Sequence, residues 1–269
     1  MPTLSIDGAE LSYQVSGSGP PILFVQGVGL AGLAWSPQVA ALSLRHRCIT
    51  VDNRGIGHSR GDTSGLSVDR MARDALAVLD ALAIERAHLV GHSLGGVIVQ
   101  RMAMLAAARV RSLTFMCTFA GGRDLASPSA KLIWLGTRSR IGTTNMRRRA
   151  FARLIMPDAY LAQHGIDVVV EQLETIFGRS LAASLPISDV QLKALRAHDE
   201  REHLSRLASI PALVLSGRHD PIATHAANAA LAKAIDAPHR VWDDASHALP
   251  IQHAQAVNEA VVAHVAGAG

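Results

Sequence analysis

The chain has 269 residues, a formal net charge of +4 and a hydrophobic fraction of 49%. This composition excludes an intrinsically disordered chain, and the length suits one large domain or a core with an insertion. No apolar run reaches the ~20 residues of a membrane-spanning helix, and the first ten residues do not resemble a signal peptide. We therefore expect no membrane span. The two cysteines, predicted to be buried reduced thiols, favour a cytoplasmic location.

Strands and helices alternate through the first 120 residues. Period-two patterning predicts strands at 4–6 and 10–15, joined by a hairpin turn at Asp7 and Gly8. The other elements predicted in this part are strands at 21–25, 47–51, 88–90 and 110–117, and helices within 35–44, from 68 onward with Ser67 as cap, and at 94–107. Such alternation is typical of βαβ units and predicts a mostly parallel sheet.

The same alternation returns near the end of the chain, whereas the middle has no strand pattern. The elements predicted here are strands at 211–215 and 240–242, and helices at 130–135, 146–155, 171–185, 190–207, 224–235 and 251–265. We therefore predict an α/β core formed by residues 1–120 and 207–269. Residues 121–206 are predicted to form a helical cap, or lid, inserted between two strands of the sheet.

The positive charge is concentrated in one part of this insertion. Residues 123–153 contain seven arginines and one lysine but a single aspartate, whereas the rest of the chain has no basic excess. Few aromatic residues accompany these arginines and no nucleic-acid module is resembled, so we expect no nucleic-acid partner. Two interpretations stay open: a solvated cap surface, or a surface that attracts an anionic substrate.

Residues 91–95 (GHSLG) fit the G-x-S-x-G pattern of a nucleophile elbow. The predicted strand 88–90 precedes them and a helical run follows, so Ser93 would lie in a strained strand-to-helix turn. Glycines on both sides let the strand and the helix approach closely, and the helix N-terminus favours negative charge beside the serine. A glycine-rich turn without chemistry is the alternative.

A serine nucleophile needs a base, and the base needs an orienting acid. Active sites of doubly wound sheets lie at the carboxyl ends of the strands. His247 follows the strand at 240–242, and Asp220 follows the strand at 211–215. Ser93, Asp220 and His247 are therefore the predicted catalytic residues. Three other carboxylates stay open as the acid: Asp124, Asp243 and Asp244.

Four ordered motifs resemble the α/β-hydrolase superfamily, in particular its lid-bearing esterases, lactonases and perhydrolases. They are the 91–96 elbow, residues 52–59 (DNRGIGHS), the turn at 217–220, and His247 ahead of a terminal helix. Residues 52–59 are similar to the family's D-x-R-G-x-G-x-S stretch. The resemblance spans nearly the whole chain. It implies an α/β-hydrolase fold with a mostly parallel central sheet flanked by helices, and the triad order serine, aspartate, histidine.

The resemblance also implies an oxyanion hole made of two backbone N–H groups. Leu94, directly after the nucleophile, would supply one, and Val28, in the loop after the strand at 21–25, the other. The family usually has His-Gly in this loop, whereas this chain has Gln26 and Gly27. The hole can survive this change because its donor is backbone. The candidate pocket-lining residues are Leu30, Trp35 and Trp134.

These observations predict a serine hydrolase, with no metal ion or cofactor, that cleaves a small carboxylic ester through an acyl-enzyme. His247 would deprotonate Ser93, and Asp220 would orient His247. A lactonase, a C–C bond hydrolase, an amidase or a cofactor-free perhydrolase can share this triad, because fold and triad do not fix the substrate. A small-molecule receptor on a hydrolase fold is the alternative from another class.

Overall fold

A nine-stranded sheet forms the centre of the computed structural model, which describes residues 1–125 and 128–268. The strands are β1 (Thr3–Ile6), β2 (Ala9–Ser16), β3 (Pro21–Val25), β4 (Arg47–Val51), β5 (Arg60–Gly61), β6 (Ala87–His92), β7 (Val110–Met116), β8 (Ala212–Gly217) and β9 (His239–Trp242). Their order is β1-β2-β4-β3-β6-β7-β8-β9, with β5 on β2. From β4 to β9 along this order all pairs are parallel, which confirms the predicted sheet.

Helices flank the sheet and form most of the insertion. They are α1 (Ser36–Leu42), α2 (Val68–Ala81), α3 (Leu94–Leu105), α4 (Ala130–Arg138), α5 (Thr144–Ile155), α6 (Asp158–His164), α7 (Ile166–Phe177), α8 (Pro186–Arg196), α9 (His225–Ala234), α10 (Leu249–Gln252) and α11 (Ala254–Gly267). Helix α2 begins as predicted, because the Ser67 hydroxyl accepts the Arg70 N–H at 3.1 Å. No helix in the described parts of the chain is long and apolar enough to cross a bilayer.

The predicted hairpin between β1 and β2 is confirmed. Ile6 pairs with Ala9, and the two turn residues Asp7 and Gly8 have φ angles of 45° and 73°. Two successive left-handed residues are what a type I′ turn requires, and Asp-Gly is a preferred pair for it. Both cysteines are buried and free, as expected.

Two helices of the insertion differ from the prediction in extent. Helix α7 ends before Gly178, whose φ of 63° gives the left-handed cap that closes a helix, so the predicted helix at 171–185 stops early. Helix α8 starts at Pro186, which is favoured in a first turn. The predicted helix at 190–207 is interrupted, and residues 201–207 form a 3-10 helix instead. The predicted last helix is divided into α10 and α11.

The insertion contacts the rest of the chain through two different hydrophobic clusters. Helices α5 to α7 form a small cluster of their own, which includes Leu173 and Phe177 and reaches Ala248 of the core. Helix α8 belongs instead to the main cluster around the sheet, through Ala194 and Leu195. Helix α8 is therefore held by the same packing that holds the sheet.

Five of the eight basic residues at 123–153 pair with acidic residues of the insertion. The pairs are Arg123–Asp199, Lys131–Asp158, Arg140–Asp189, Arg148–Glu174 and Arg149–Asp167. Such exposed pairs each contribute little to stability. They do neutralise much of the charge at 123–153, which favours a solvated surface over one that attracts anions.

Candidate active site

Ser93 lies at the junction of β6 and α3 in a conformation that is unusual for a residue with a side chain. Its φ and ψ are 53° and −123°. The strain is held by β7 and the residues after it: the Ser93 N–H donates to Met116 O at 3.0 Å, and Thr118 Oγ1 donates to Ser93 O at 2.7 Å. Strain that the surroundings maintain in this way is typical of functional turns. This geometry is that of a nucleophile elbow.

Gly95 allows the helix to start directly against the neighbouring strand. A Cβ atom at this position would overlap the carbonyl of Val25 at the end of β3. The loop that follows β3 also approaches the elbow, since a Cβ on Gly27 would lie 2.9 Å from Cβ of Ser93. The predicted oxyanion loop and the predicted nucleophile are therefore neighbours in space.

Asp220 and His247 form a buried pair after the ends of β8 and β9. Nδ1 of His247 lies 2.8 Å from Oδ2 of Asp220, and the aspartate side chain has no exposed surface. The other carboxylate oxygen accepts the N–H groups of Ile222 and Ala223, at 2.8 and 2.9 Å. Both oxygens of the carboxylate are thus engaged, which fixes the orientation of the His247 ring.

The alternative acids have other partners. Asp124 accepts the N–H groups of Ala120 and Gly121, while Asp243 pairs with Arg218 and Asp244 with His253. Within residues 1–125 and 128–268, no three His, Cys, Asp or Glu side chains are arranged to hold a metal ion. Of the four candidate aspartates, Asp220 is the one in hydrogen-bond contact with His247.

His92 connects the elbow to His247. Nε2 of His92 lies 2.8 Å from the carbonyl oxygen of His247, and the two rings are 4.8 Å apart between centroids. The hydroxyl of Ser93 has no hydrogen bond to any described residue. In free enzymes the bond between nucleophile and base is often long, and it tightens when substrate binds.

Both predicted oxyanion donors are available. The N–H groups of Val28 and Leu94 have no hydrogen-bond acceptor among the described residues. The N–H groups on either side of Val28 are occupied, since Gly27 donates to Gln26 Oε1 and Gly29 to Gln191 Oε1, each at 2.9 Å. The loop therefore presents one free donor between two that are bound.

Gln26, which replaces the family's usual histidine, has a second contact that the sequence did not predict. Its Oε1 lies 3.1 Å from Nδ1 of His92. The same glutamine oxygen accepts the Gly27 N–H, so it lies between the oxyanion loop and the elbow. Both ring nitrogens of His92 face oxygen atoms, and because a neutral imidazole carries one N–H, only one of these two contacts is a hydrogen bond. The sequence signalled Gln26 only as a departure from a family pattern, and His92 only as a residue of the elbow.

The three predicted pocket residues lie in different environments. Trp35 has no exposed surface: its ring packs 5.2 Å from that of Phe24 and edge-on to His92 at 6.3 Å. It therefore supports His92 from the core and cannot meet a substrate from an open pocket wall, contrary to the expectation. Leu30 is half-buried beside the cluster of α5 to α7, and Trp134 is 59% exposed on α4. A pocket role for these two stays a prediction.

Because it contains buried histidines, we predict that the protein loses stability in acid. Burial, the largest cause, lowers the pKa of His92 to about 3 and that of His88 to about 4. Both stay neutral in the folded chain, while the unfolded chain binds protons below about pH 6.5. The free energy of unfolding should therefore fall between about pH 6.5 and 4, by about 1.4 kcal/mol per pH unit for each histidine.

Urea denaturation across this pH range would measure the effect. A His88→Asn variant should show a shallower decline than the wild type, because it lacks one of the histidines whose pKa is lowered by burial. A His58→Asn variant serves as the control, because the side chain of His58 is 64% exposed. Equal declines in all three proteins would contradict the assignment.

Comparison with known proteins agrees with this geometry. A family model described as the alpha/beta hydrolase fold matches residues 20–254. The chain belongs to this family. A putative carbamate hydrolase RutD from Variovorax paradoxus is 30% identical over 262 residues, which cover 94% of this chain and 92% of that protein. A second RutD, from Azorhizobium caulinodans, is 43% identical over 116 residues, 43% of this chain and only 44% of its own length.

Lactonases are also among the relatives of this α/β-hydrolase. The 3-oxoadipate enol-lactonase 1 of Acinetobacter baylyi is 31% identical over 227 residues, 81% of this chain and 78% of that protein. The crystal structure of the enol-lactonase from Burkholderia xenovorans LB400 superimposes with a TM-score of 0.82 at 27% identity, over 98% of this chain and all of that one. These relatives support hydrolase activity for the chain.

Proposed function

We propose that this α/β-hydrolase is a serine hydrolase that cleaves a small carboxylic ester through an acyl-enzyme intermediate. The proposal depends above all on the 2.8 Å contact between His247 Nδ1 and Asp220 Oδ2, next to the strained turn of Ser93. A neutral histidine held by a buried carboxylate is the base that a serine nucleophile requires. The free N–H groups of Val28 and Leu94 suit the oxyanion of the tetrahedral intermediate.

In this mechanism Nε2 of His247 takes the hydroxyl proton of Ser93 as Oγ attacks the carbonyl carbon. The carbonyl oxygen becomes negative and accepts the N–H groups of Val28 and Leu94. The C–O bond then breaks, and the leaving alkoxide receives the proton from His247. A water molecule, deprotonated by His247, attacks the acyl-enzyme and releases the acid and the free serine. Asp220 keeps the proton of His247 on Nδ1 and stabilises the imidazolium.

Residues 121–206 act as the cap of this enzyme in our proposal, and residues 1–120 and 207–269 as its core. Two contacts support the assignment. Side chains of the insertion bind the loop that carries Val28, and the Ala248 N–H, next to His247, donates to Ile155 O of α5 at 2.9 Å. The insertion thus touches the chain beside two groups of the proposed mechanism.

Lactones and carbamates are a second substrate group. Enol-lactonases and putative carbamate hydrolases both align with most of the chain. A lactone and a carbamate present a carbonyl carbon to the same nucleophile, and both can pass through a covalent serine intermediate. Turnover of p-nitrophenyl acetate, an enol lactone and an aryl carbamate, compared at equal concentration, would order the three classes.

Labelling with a fluorophosphonate probe tests the proposal directly. The probe should form one covalent adduct, located at Ser93 by peptide mass spectrometry, because only an activated serine attacks the phosphorus atom at a useful rate. A Ser93→Ala variant should remain unlabelled. A Ser205→Ala variant, which changes an exposed serine, is the control and should be labelled like the wild type. An adduct at another residue, or none, would contradict the proposal. A receptor would show at most one slow turnover of the ester.

A further inference from the structure

The backbone N–H and the backbone carbonyl of Gly29 each form a hydrogen bond with a side chain of the insertion. Oε1 of Gln191, on α8, accepts the Gly29 N–H at 2.9 Å, and Nη2 of Arg179 donates to Gly29 O at 3.2 Å. Gly29 has a φ of 71°, a left-handed conformation, and a Cβ atom there would lie 2.7 Å from Oγ of Ser188. We call the two hydrogen bonds of Gln191 and Arg179 the Gly29 clamp.

Packing against the core holds Gln191 in place. The residue has no exposed surface, and its helix packs into the main hydrophobic cluster through Ala194 and Leu195. The Nε2 amide of Gln191 is buried and has no partner among the described residues. A buried unpaired donor is unfavourable, so the glutamine is not explained by stability alone. Among the described residues, the only hydrogen bond of the Gln191 side chain is the one to Gly29.

The contact between Gln191 and Gly29 lies next to the proposed oxyanion donor in the loop. Gly29 directly follows Val28, whose N–H is the free donor proposed to hold the oxyanion. Gln26 holds the N–H before it, at Gly27, and Gln191 holds the N–H after it. The Gly27 carbonyl in turn accepts the Leu30 N–H at 3.3 Å. With both neighbouring N–H groups bound, the peptide group that carries the Val28 N–H has little freedom to rotate.

We propose that Gln191 and Arg179 are positioning residues, through which the insertion sets the direction of the Val28 donor. The inference rests on the proposed serine mechanism. Neither side chain needs to touch the substrate. Their effect falls on the oxyanion, which exists only after Ser93 attacks, and therefore on kcat more than on KM. Without the insertion the loop would keep its Gln26 contact and lose both bonds to Gly29.

The test is the steady-state hydrolysis of p-nitrophenyl acetate by the full chain and its variants. Gln191→Met keeps the volume and removes the acceptor, so kcat should fall about tenfold or more while KM changes less than about threefold. Lys193→Met, on the exposed side of the same helix, is the control and should behave as wild type.

Arg179→Met gives an independent measurement if Gln191→Met does not fold, as judged by its thermal unfolding. Its control is Arg149→Met, which removes an arginine that pairs with Asp167 inside the insertion. Wild-type kcat in the folded clamp variants, or a change confined to KM, would overturn the inference and leave the serine mechanism standing. No turnover and no probe adduct in the wild type would instead overturn the mechanism, and the clamp with it.

Discussion

Ser93→Ala should lower kcat for ester hydrolysis by about 10⁴- to 10⁶-fold. Alanine removes the only atom of the elbow that can form the acyl-enzyme, while the backbone strain at φ 53° is held by Met116 and Thr118. The fold should therefore survive the change. Burst and steady-state kinetics with p-nitrophenyl acetate would measure it, with circular dichroism to check the fold.

Two further variants test whether the loss of activity depends on the proposed triad. Asp220→Asn keeps the size of the side chain but cannot hold the same tautomer of His247, so kcat should fall by about 10⁴-fold. Asp243→Asn changes an aspartate at the end of β9 whose contact is the exposed Arg218, and it should be nearly silent. Wild-type kcat in Ser93→Ala, or a larger loss in Asp243→Asn than in Asp220→Asn, would exclude the proposed mechanism.

Asp74→Ala should lower the free energy of unfolding by about 3–5 kcal/mol. Asp74 lies on α2, and its two oxygens bind Nε and Nη2 of Arg54 at 2.5 and 2.8 Å. Arg54 has no exposed surface, and its guanidinium also donates to the carbonyls of Ile6 and Asp7. Removing the carboxylate would leave a buried cation without its counter-charge, which costs far more than the loss of an exposed pair.

The same helix supplies a matched control. Asp80 pairs with Arg109 at 2.7 Å, but its side chain is 61% exposed. Asp80→Ala should therefore change the free energy of unfolding by less than about 1 kcal/mol. Urea denaturation of the two variants would compare a buried and an exposed pair in one helix. Similar losses in both would show that burial of Arg54 has no special cost.

Much of the sheet could be predicted because its signals are local. Five-residue apolar runs such as 21–25 and 47–51 became strands with the same bounds, and Ser67 caps α2 as its residue type suggests. The expected contact between Asp220 and His247, which the structure contains, came from two sources: the rule that parallel strands bring their carboxyl ends to one edge, and the triad order implied by the family resemblance. The rule alone left three other aspartates open as the acid.

The remaining features depend on contacts between distant parts of the chain. Gln191 binds a residue 162 positions away, and nothing in α8 marks it as different from any other buried glutamine. Trp35 is a large aromatic residue of the kind expected to line a pocket, but it packs inside the core. Helix lengths in the insertion were missed because apolar periodicity continues past Gly178, while the chain direction changes there through one left-handed residue.

The two ends of the insertion meet where it leaves the core. Gly121 and Asp199 form an antiparallel bridge, and the N–H groups of Gly122 and Glu200 donate to His198 O and Ala120 O at 2.7 and 3.4 Å. A turn could therefore join these two ends without moving β7 or β8, which pair directly with each other, but it would also remove α8, whose Ala194 and Leu195 pack in the main hydrophobic cluster. The site is a natural graft point, where insertions from other hydrolases could be exchanged to alter selectivity. Such chimaeras should fold where the graft covers the apolar surface that α8 covers here, and their turnover should depend on whether the graft supplies new partners for Gly29.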